Sequence, residues 1–271
     1  MTISSFYAGA CAYLQHFYPK RLLSALMFRA TRIRLSVWKN WQIRWFIRRY
    51  GVNMDEALEP ESRAYPEFNT FFTRPLRSDA RPQPTSDTAI ASPADGVVLE
   101  RGRIFERSML QVKGLELDIH ELLGNNAQVT RTFVDGHFAT VYLSPRDYHR
   151  VHMPVAGDLQ MMGHIPGELF SVSLPVVYNL PRVFSRNERV VSMFETPVGP
   201  MALILVGAVF VGSIETVWAG PIKGSPHKAI SWETYGSDLR PLHLDRGQEM
   251  GRFNMGSTVI ALFANRDINW T

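Results

Sequence analysis

The sequence predicts an α+β protein: basic, tryptophan-rich helices over residues 1–60, followed by a mostly antiparallel β body over residues 61–271. Three observations carry this. Large apolar residues recur at helical spacing between positions 17 and 47; prolines interrupt any long helix between 55 and 90; and from Ser92 onward Asp-Gly and Gly-Pro turns separate short β-like runs. With 271 residues, 45% of them hydrophobic and 20% charged, the chain can bury a sizeable core.

In the head, the pairs Leu22/Leu26 and Leu23/Met27 and the series Trp38/Trp41/Trp45 fit helices, and Pro19 suits a helix start. Phe17 belongs to the same apolar set. Residues 1–54 hold nine Lys or Arg and no Asp or Glu, which leaves 20 basic against 25 acidic residues in the remainder. The net charge of +4 therefore hides a cationic head on a mildly acidic body. Indole rings favour the lipid headgroup zone and cations meet anionic lipid there, so the head is expected to rest on a membrane surface. Helices packed on the body remain an alternative, since Arg48 and Arg49 project close to the tryptophan stripe. A nucleic-acid arm would share the basic and aromatic composition, but no nucleic-acid partner is expected.

The longest unbroken apolar stretch, Met201 to Gly212, is about half of the roughly 20 residues a membrane-spanning helix needs, so none is expected. The N-terminal basic residues follow the first apolar run instead of preceding it, unlike a secretory signal. Cys11 is the single cysteine, which excludes an intrachain disulfide and a cysteine metal cluster and suits a reducing compartment.

Between the two parts, Glu59-Pro60, Tyr65-Pro66, Arg74-Pro75 and Arg81-Pro82-Gln83-Pro84 mark a transition. Within it, Phe68-Asn69-Thr70-Phe71-Phe72-Thr73-Arg74-Pro75-Leu76 is expected to be an aromatic plug docking head onto body, with no chemistry assigned. The strand candidates are Gly96 to Phe105, Val129 to Leu143, Val190 to Phe194, Met201 to Val211 and Ser257 to Phe263. Asp95-Gly96, Asp135-Gly136 and Gly199-Pro200 supply turns. Leu117 to Leu123 is the best helical stretch of the body.

Three places carry reactive groups. Gly256-Ser257, at the mouth of an apolar strand, can set a hydroxyl against the carbonyl that precedes it, because glycine leaves that carbonyl uncrowded. An ordinary turn gives the same dipeptide. Asp95 sits at a turn entering a strand, where such carboxylates usually cap backbone N–H groups. His149 and His152 lie between Pro145 and Pro154; on a helical turn they would share a face, on a strand they would oppose each other, and an irregular loop is expected. A metal site, surface polarity and a nucleophilic triad compete for these histidines. Zinc lacks a third ligand in the pattern, and no metal is expected. In the triad, Asp95 orients a histidine that takes the proton of Ser257.

Five collinear segments then resemble one family: FNTFFTRPL (68–76), SPADGVV (92–98), YLSPRDYHRVHMPV (142–155), GSIETVWAG (212–220) and GRFNMGSTVI (251–260). Together they resemble the phosphatidylserine decarboxylase proenzymes of the bacterial membrane-associated type. Family members commonly have Leu-Gly-Ser-Thr where this chain has Met255-Gly256-Ser257-Thr258, a conservative change.

The resemblance implies that Asp95, His152 and Ser257 form a self-processing triad. Ser257 Oγ would attack the Gly256 carbonyl, and elimination would leave a chain of residues 1–256 and a 15-residue chain capped by a pyruvoyl group derived from Ser257. That ketone would form a Schiff base with the amine of phosphatidylserine and accept the electrons released with CO2, as pyridoxal phosphate does elsewhere. His149 would reprotonate the α-carbon. Phosphatidylethanolamine would result, at the cytoplasmic side of the cell membrane, from a peripheral enzyme. The two cleavage products are expected to stay associated as a heterodimer that dimerises further. Two rivals stay open: a membrane-associated serine hydrolase using Asp95, His152 and Ser257 without self-cleavage, and a non-catalytic lipid-binding module.

Overall fold

The computed structural model of the chain describes residues 15, 18–110, 115–210, 213–222, 229–236, 241–254 and 257–271. Cys11, Phe17, Val211, Gly212, Met255 and Gly256 lie outside the described residues. The elements run α1 (Lys20–Ala30), α2 (Ser36–Tyr50), α3 (Phe68–Phe72), β1 (Val97–Arg103), β2 (Ser108–Leu110), β3 (Glu116–Asp118), α4 (Ile119–Leu122), α5 (Ala127–Phe133), β4 (His137–Tyr142), β5 (Arg150–His152) and β6 (Gly157–Ile165). They continue as α6 (Leu174–Val177), α7 (Val183–Arg186), β7 (Arg189–Glu195), β8 (Met201–Val206), β9 (Ile214–Thr216), β10 (Gly220–Ile222), β11 (Ser231–Thr234), β12 (His243–Leu244), β13 (Glu249–Phe253) and β14 (Thr258–Phe263). The expected α+β class, helices first and antiparallel strands after, is what forms.

Among the described residues the largest sheet runs β1-β4-β14-β8-β7-β6-β11, with β12 also on β6. A second sheet runs β10-β9-β13-β5. Every pairing within the two sheets is antiparallel. β14 lies inside the large sheet, paired residue for residue with β4 on one side and β8 on the other. All six of its residues, and all six of β8, are buried. This is why both read as continuous apolar runs instead of alternating ones: neither face meets water. Val259, Ile260, Leu203 and Ile204 belong to one buried core with Val151, Phe133, Phe184 and Phe253.

α2 carries two opposed stripes. Ile43 and Phe46 are buried and join Tyr65, Phe68, Phe71 and Phe72 in an aromatic cluster, so the plug expected from FNTFF forms. Trp38, Trp41 and Trp45 face outward. The helix stops at Gly51, whose φ of +67° is the left-handed turn that glycine adopts without strain. α1 is anchored to the body: Arg21 donates to the Gly167 carbonyl at 2.6 Å, and the Ser24 hydroxyl accepts from Phe210 N at 3.0 Å. Helices packed on the body and an outward tryptophan stripe thus coexist.

Two expectations need correction. The stretch from Val129 to Leu143 is not one strand; its first half is α5. The Asn126 side chain accepts from Gln128 N at 3.1 Å and Val129 N at 3.2 Å, starting a helix where apolar content alone suggests a strand. The helix is followed by Asp135 at φ +61°, and β4 begins after the turn. Likewise only Ile119–Leu122 of the Leu117–Leu123 stretch is helical, because Asp118 caps it by accepting from His120 N at 2.7 Å. The residues before it pair as β3.

Candidate active site

Ser257 stands at the head of β14. Its carbonyl accepts from Leu143 N at 2.9 Å, and the next residue, Thr258, is paired with Tyr142 and Val206. The side chain is fully buried and, among the described residues, its Oγ has no hydrogen-bond partner. Leaving a buried hydroxyl unpaired costs about 1–3 kcal/mol.

The two histidines sit on extended chain. Phe253 N donates to the His149 carbonyl at 3.0 Å, so pairing of β5 with β13 continues one residue ahead of Arg150. Alternation then sets His149 and Val151 on one face, both at 0% exposure, and the partly exposed Arg150 and His152 on the other. An irregular loop was expected here; the strand pairing instead separates the rings.

His149 packs against Phe72 with ring centres 4.1 Å apart. Its Nδ1 lies 2.7 Å from the Asp147 carbonyl. A carbonyl only accepts, so Nδ1 carries the hydrogen and Nε2 keeps a lone pair. Among the described residues that Nε2 is buried and without a partner. Burial pushes the imidazole pKa down to about 3; the Asp147 hydrogen bond opposes this and the Arg74 charge adds to it. His149 is thus a neutral base in an apolar setting. Phe72, which touches it, and Leu143, which binds Ser257, both line one cavity of about 530 Å3 together with Phe46, Tyr50, Tyr142 and Ser173.

His152 faces elsewhere. Its Nδ1 donates to the Gly247 carbonyl at 2.7 Å, and Nε2 accepts from the Tyr148 hydroxyl at 3.0 Å. Burial pushes the Tyr148 phenol up to about 12, so it remains a donor. Both oxygens of Asp95 accept from Arg81, at 2.8 and 2.5 Å, and Arg81 also reaches Glu56 at 2.6 Å. The guanidinium is raised above its ordinary value, chiefly by the bond to Asp95. The turn that presents Asp95 depends on Gly96, at φ +145°, where an added Cβ would collide with the Tyr142 carbonyl oxygen. Asp95, Tyr148 and His152 line a second cavity, of about 640 Å3.

Asp95 and His152 therefore line one cavity, while Ser257 and His149 are each fully buried and border the other only through Leu143 and Phe72. Among the described residues no hydrogen bond joins any two of Asp95, His152 and Ser257. Gly256, the other half of the expected cleavage site, is outside the described residues. No group of three or more His, Cys, Asp or Glu is placed to hold a metal ion among them.

Sequence reasoning passed over several residues that the site uses. Tyr148 and Arg81 hold His152 and Asp95. Arg74 is 4% exposed with an unpartnered Nε, makes no ion pair among the described residues, and is lowered from its ordinary pKa mainly by burial. Asn69 and Asn254 are joined by a buried hydrogen bond of 2.9 Å. The signal for Tyr148, Arg74, Asn69 and Asn254 was their place inside the five segments. Arg81 lies outside them.

The five segments are themselves bonded to one another. Asn69 meets Asn254, Asn254 meets Ser213, Phe253 meets His149, and His152 N donates to the Pro93 carbonyl at 2.8 Å. The sequence model of the family described as phosphatidylserine decarboxylase matches residues 68–271, and one described as PSD matches residues 12–51. Phosphatidylserine decarboxylase proenzymes are similar along nearly the whole chain. The one from Bordetella petrii is 49% identical over 95% of this chain and 89% of its own. That from Nitrosococcus oceani is 48% identical over 94% and 83%, and that from Azotobacter vinelandii 48% over 94% and 90%. Similarity of this extent, over a body whose five segments are hydrogen-bonded to one another, places the chain in the phosphatidylserine decarboxylase family.

Proposed function

We propose that the chain decarboxylates phosphatidylserine to phosphatidylethanolamine and CO2, using a pyruvoyl group made from its own Ser257 by cleavage of the Gly256-Ser257 bond. The observation that carries this is Ser257 itself: a fully buried serine with an unpartnered Oγ at the head of an interior strand, in a family whose relatives are named proenzymes. The residues around it fit the group. A ketone there would be buried next to Leu143, which lines a cavity walled by Phe46, Phe72 and Val176. The pyruvoyl carbonyl supplies the electron sink that no natural side chain provides.

For cleavage, an imidazole takes the Ser257 proton, Oγ bonds to the Gly256 carbonyl carbon, and the peptide C–N bond breaks to leave an ester. Elimination then releases residues 1–256 as a carboxylate, and water replaces the nitrogen of residue 257, which departs as ammonia. Family resemblance gives the proton transfer to His152, oriented by Asp95. In the arrangement described, His152 is held by Gly247 and Tyr148, and Asp95 by Arg81. Assembly of that triad therefore requires these bonds to be exchanged.

For decarboxylation, His149 Nε2 takes the proton given up by the substrate's ammonium and returns it to the carbon that loses CO2. The Nδ1–H bond to Asp147 keeps Nε2 as the working nitrogen. The lipid reaches the site from a membrane surface on which the head rests. Leu26, Leu35, Val37, Trp41 and Trp45 are each at least half exposed, and Arg44, Arg48 and Arg49 are exposed beside the tryptophans. No helix among the described residues is long and apolar enough to cross a membrane. In this reading the enzyme is peripheral, on the cytoplasmic side of the cell membrane. The two cleavage products remain a heterodimer, which dimerises further.

Mass spectrometry with borohydride trapping tests the reading. Expected are fragments 1–256 and 257–271, with the substrate amine fixed to the smaller one on reduction. An intact chain with a free Ser257 that hydrolyses esters would establish the serine hydrolase instead.

A further inference from the structure

The FNTFF segment has a packing role through its phenylalanines, and that role leaves Asn69 unexplained. Asn69 is 9% exposed, and its Nδ2 donates to Asn254 Oδ1 at 2.9 Å, across 185 residues of sequence. Its own Oδ1 is buried with no partner among the described residues. The side chain is thus placed for Asn254 at the expense of its own satisfaction. Asn254 in turn donates from Nδ2 to Ser213 Oγ at 2.7 Å and to the Ser213 carbonyl at 3.2 Å; its backbone N reaches the same carbonyl at 3.2 Å. The residue is held by backbone and side chain at once.

Asn254 stands two residues before Gly256, and Ser257 is fixed by its carbonyl to Leu143 N. Two anchors therefore bracket the Met255-Gly256 link. Attack of a hydroxyl on the carbonyl next to it gains its rate from being held in place, and an error of about 1 Å costs on the order of a hundredfold. We propose that Asn69, through Asn254 and Ser213, is a positioning relay for self-cleavage, fixing the upstream side of the Gly256-Ser257 bond. The Asn69 backbone N also donates to the carbonyl of Thr31, the residue that follows α1, at 3.0 Å. The relay therefore also reaches the end of α1. The inference rests on the reading that the chain cleaves itself there.

The test compares wild type, Asn69→Ala, Asn254→Ala and the double variant. Cleavage is timed by the appearance of fragment 257–271, and Tm is measured for each in an uncleavable Ser257→Ala background. Expected are a slowing of tenfold or more in each single variant, and a double variant no slower than the slower single, because one relay is broken in all three. Single variants cleaving within twofold of wild type overturn the relay, whatever their Tm; so does a double variant whose slowing is the product of the singles. Where Asn69→Ala does not fold, Asn69→Asp, of the same shape without the donor, is judged by the same tenfold and twofold limits. An uncut wild type overturns the self-cleavage reading itself; a cut wild type with unaffected variants overturns the relay alone.

Discussion

His149 and His152, three residues apart, are presented on opposite faces of the extended chain that begins one residue ahead of β5: one fully buried against Phe72, the other bonded to Tyr148 in the cavity that holds Asp95. The two rings meet different neighbours, so their removal is expected to have different consequences.

His149→Ala is expected to yield normally cleaved protein with decarboxylation lost by at least a hundredfold, because cleavage is assigned to the other ring. His152→Ala and Ser257→Ala are expected to remain uncut. Gel analysis and CO2 release from phosphatidylserine micelles check this. Full activity of His149→Ala would remove it from the mechanism.

Acid stability should report His149. Its ordinary pKa is 6.5 and burial lowers it to about 3 in the folded chain. Between these values the unfolded chain binds the proton and the folded chain does not. Stability is therefore fully present above pH 6.5 and is lost as pH falls toward 3, by up to about 1.4 kcal/mol per pH unit. Thermal unfolding of the Ser257→Ala precursor from pH 7 to 4 should show this slope, and His149→Gln should flatten it. Equal slopes in the two proteins would mean that His149 is protonated when folded.

Membrane docking should depend on both the indoles and the charges. Trp41→Ala with Trp45→Ala is expected to weaken binding to vesicles containing anionic phospholipid at any salt concentration. Replacing Arg44, Arg48 and Arg49 with Gln removes about 1 kcal/mol each, and that loss should disappear in high salt. Vesicle co-sedimentation that is unchanged in all five substitutions would assign the surface to another partner.

Cleavage should not release the 15-residue product. β14 keeps six paired residues on each side, with Val259, Ile260 and Leu262 at 0% exposure. The tail is fastened as well: Arg101 donates to the Thr271 carbonyl at 2.6 Å and Trp270 to His137 at 3.3 Å. Both products are expected to co-elute in gel filtration and to separate only in denaturant. Loss of the small fragment on dialysis would contradict this.

Much of the fold could be read from local pattern. Helical spacing around Trp38, Trp41 and Trp45 and the Asp-Gly turns reflect preferences that act within a few residues. The reading failed at Val129, where one asparagine cap, invisible to apolar periodicity, turned a strand candidate into α5. Chemical identities were legible in the same way. Ser257, His149, His152 and Asp95 stood out by residue type and by the segments that carry them.

What the sequence determined by itself is that this chain has a serine behind a glycine, two histidines, a carboxylate and a cationic tryptophan-bearing head. Only the tertiary structure decided how they are grouped. Strand alternation sent the two histidines to opposite faces, Arg81 took Asp95, and the amide of Asn69 crossed 185 positions to Asn254. Each of these depends on hydrogen bonds between residues distant in the chain, whose geometry is set by the packing of whole sheets and carries no local trace. The serine at the head of β14 was visible from the beginning; its burial, its unpartnered hydroxyl and its two flanking anchors exist only once β4, β8 and β13 have closed around it.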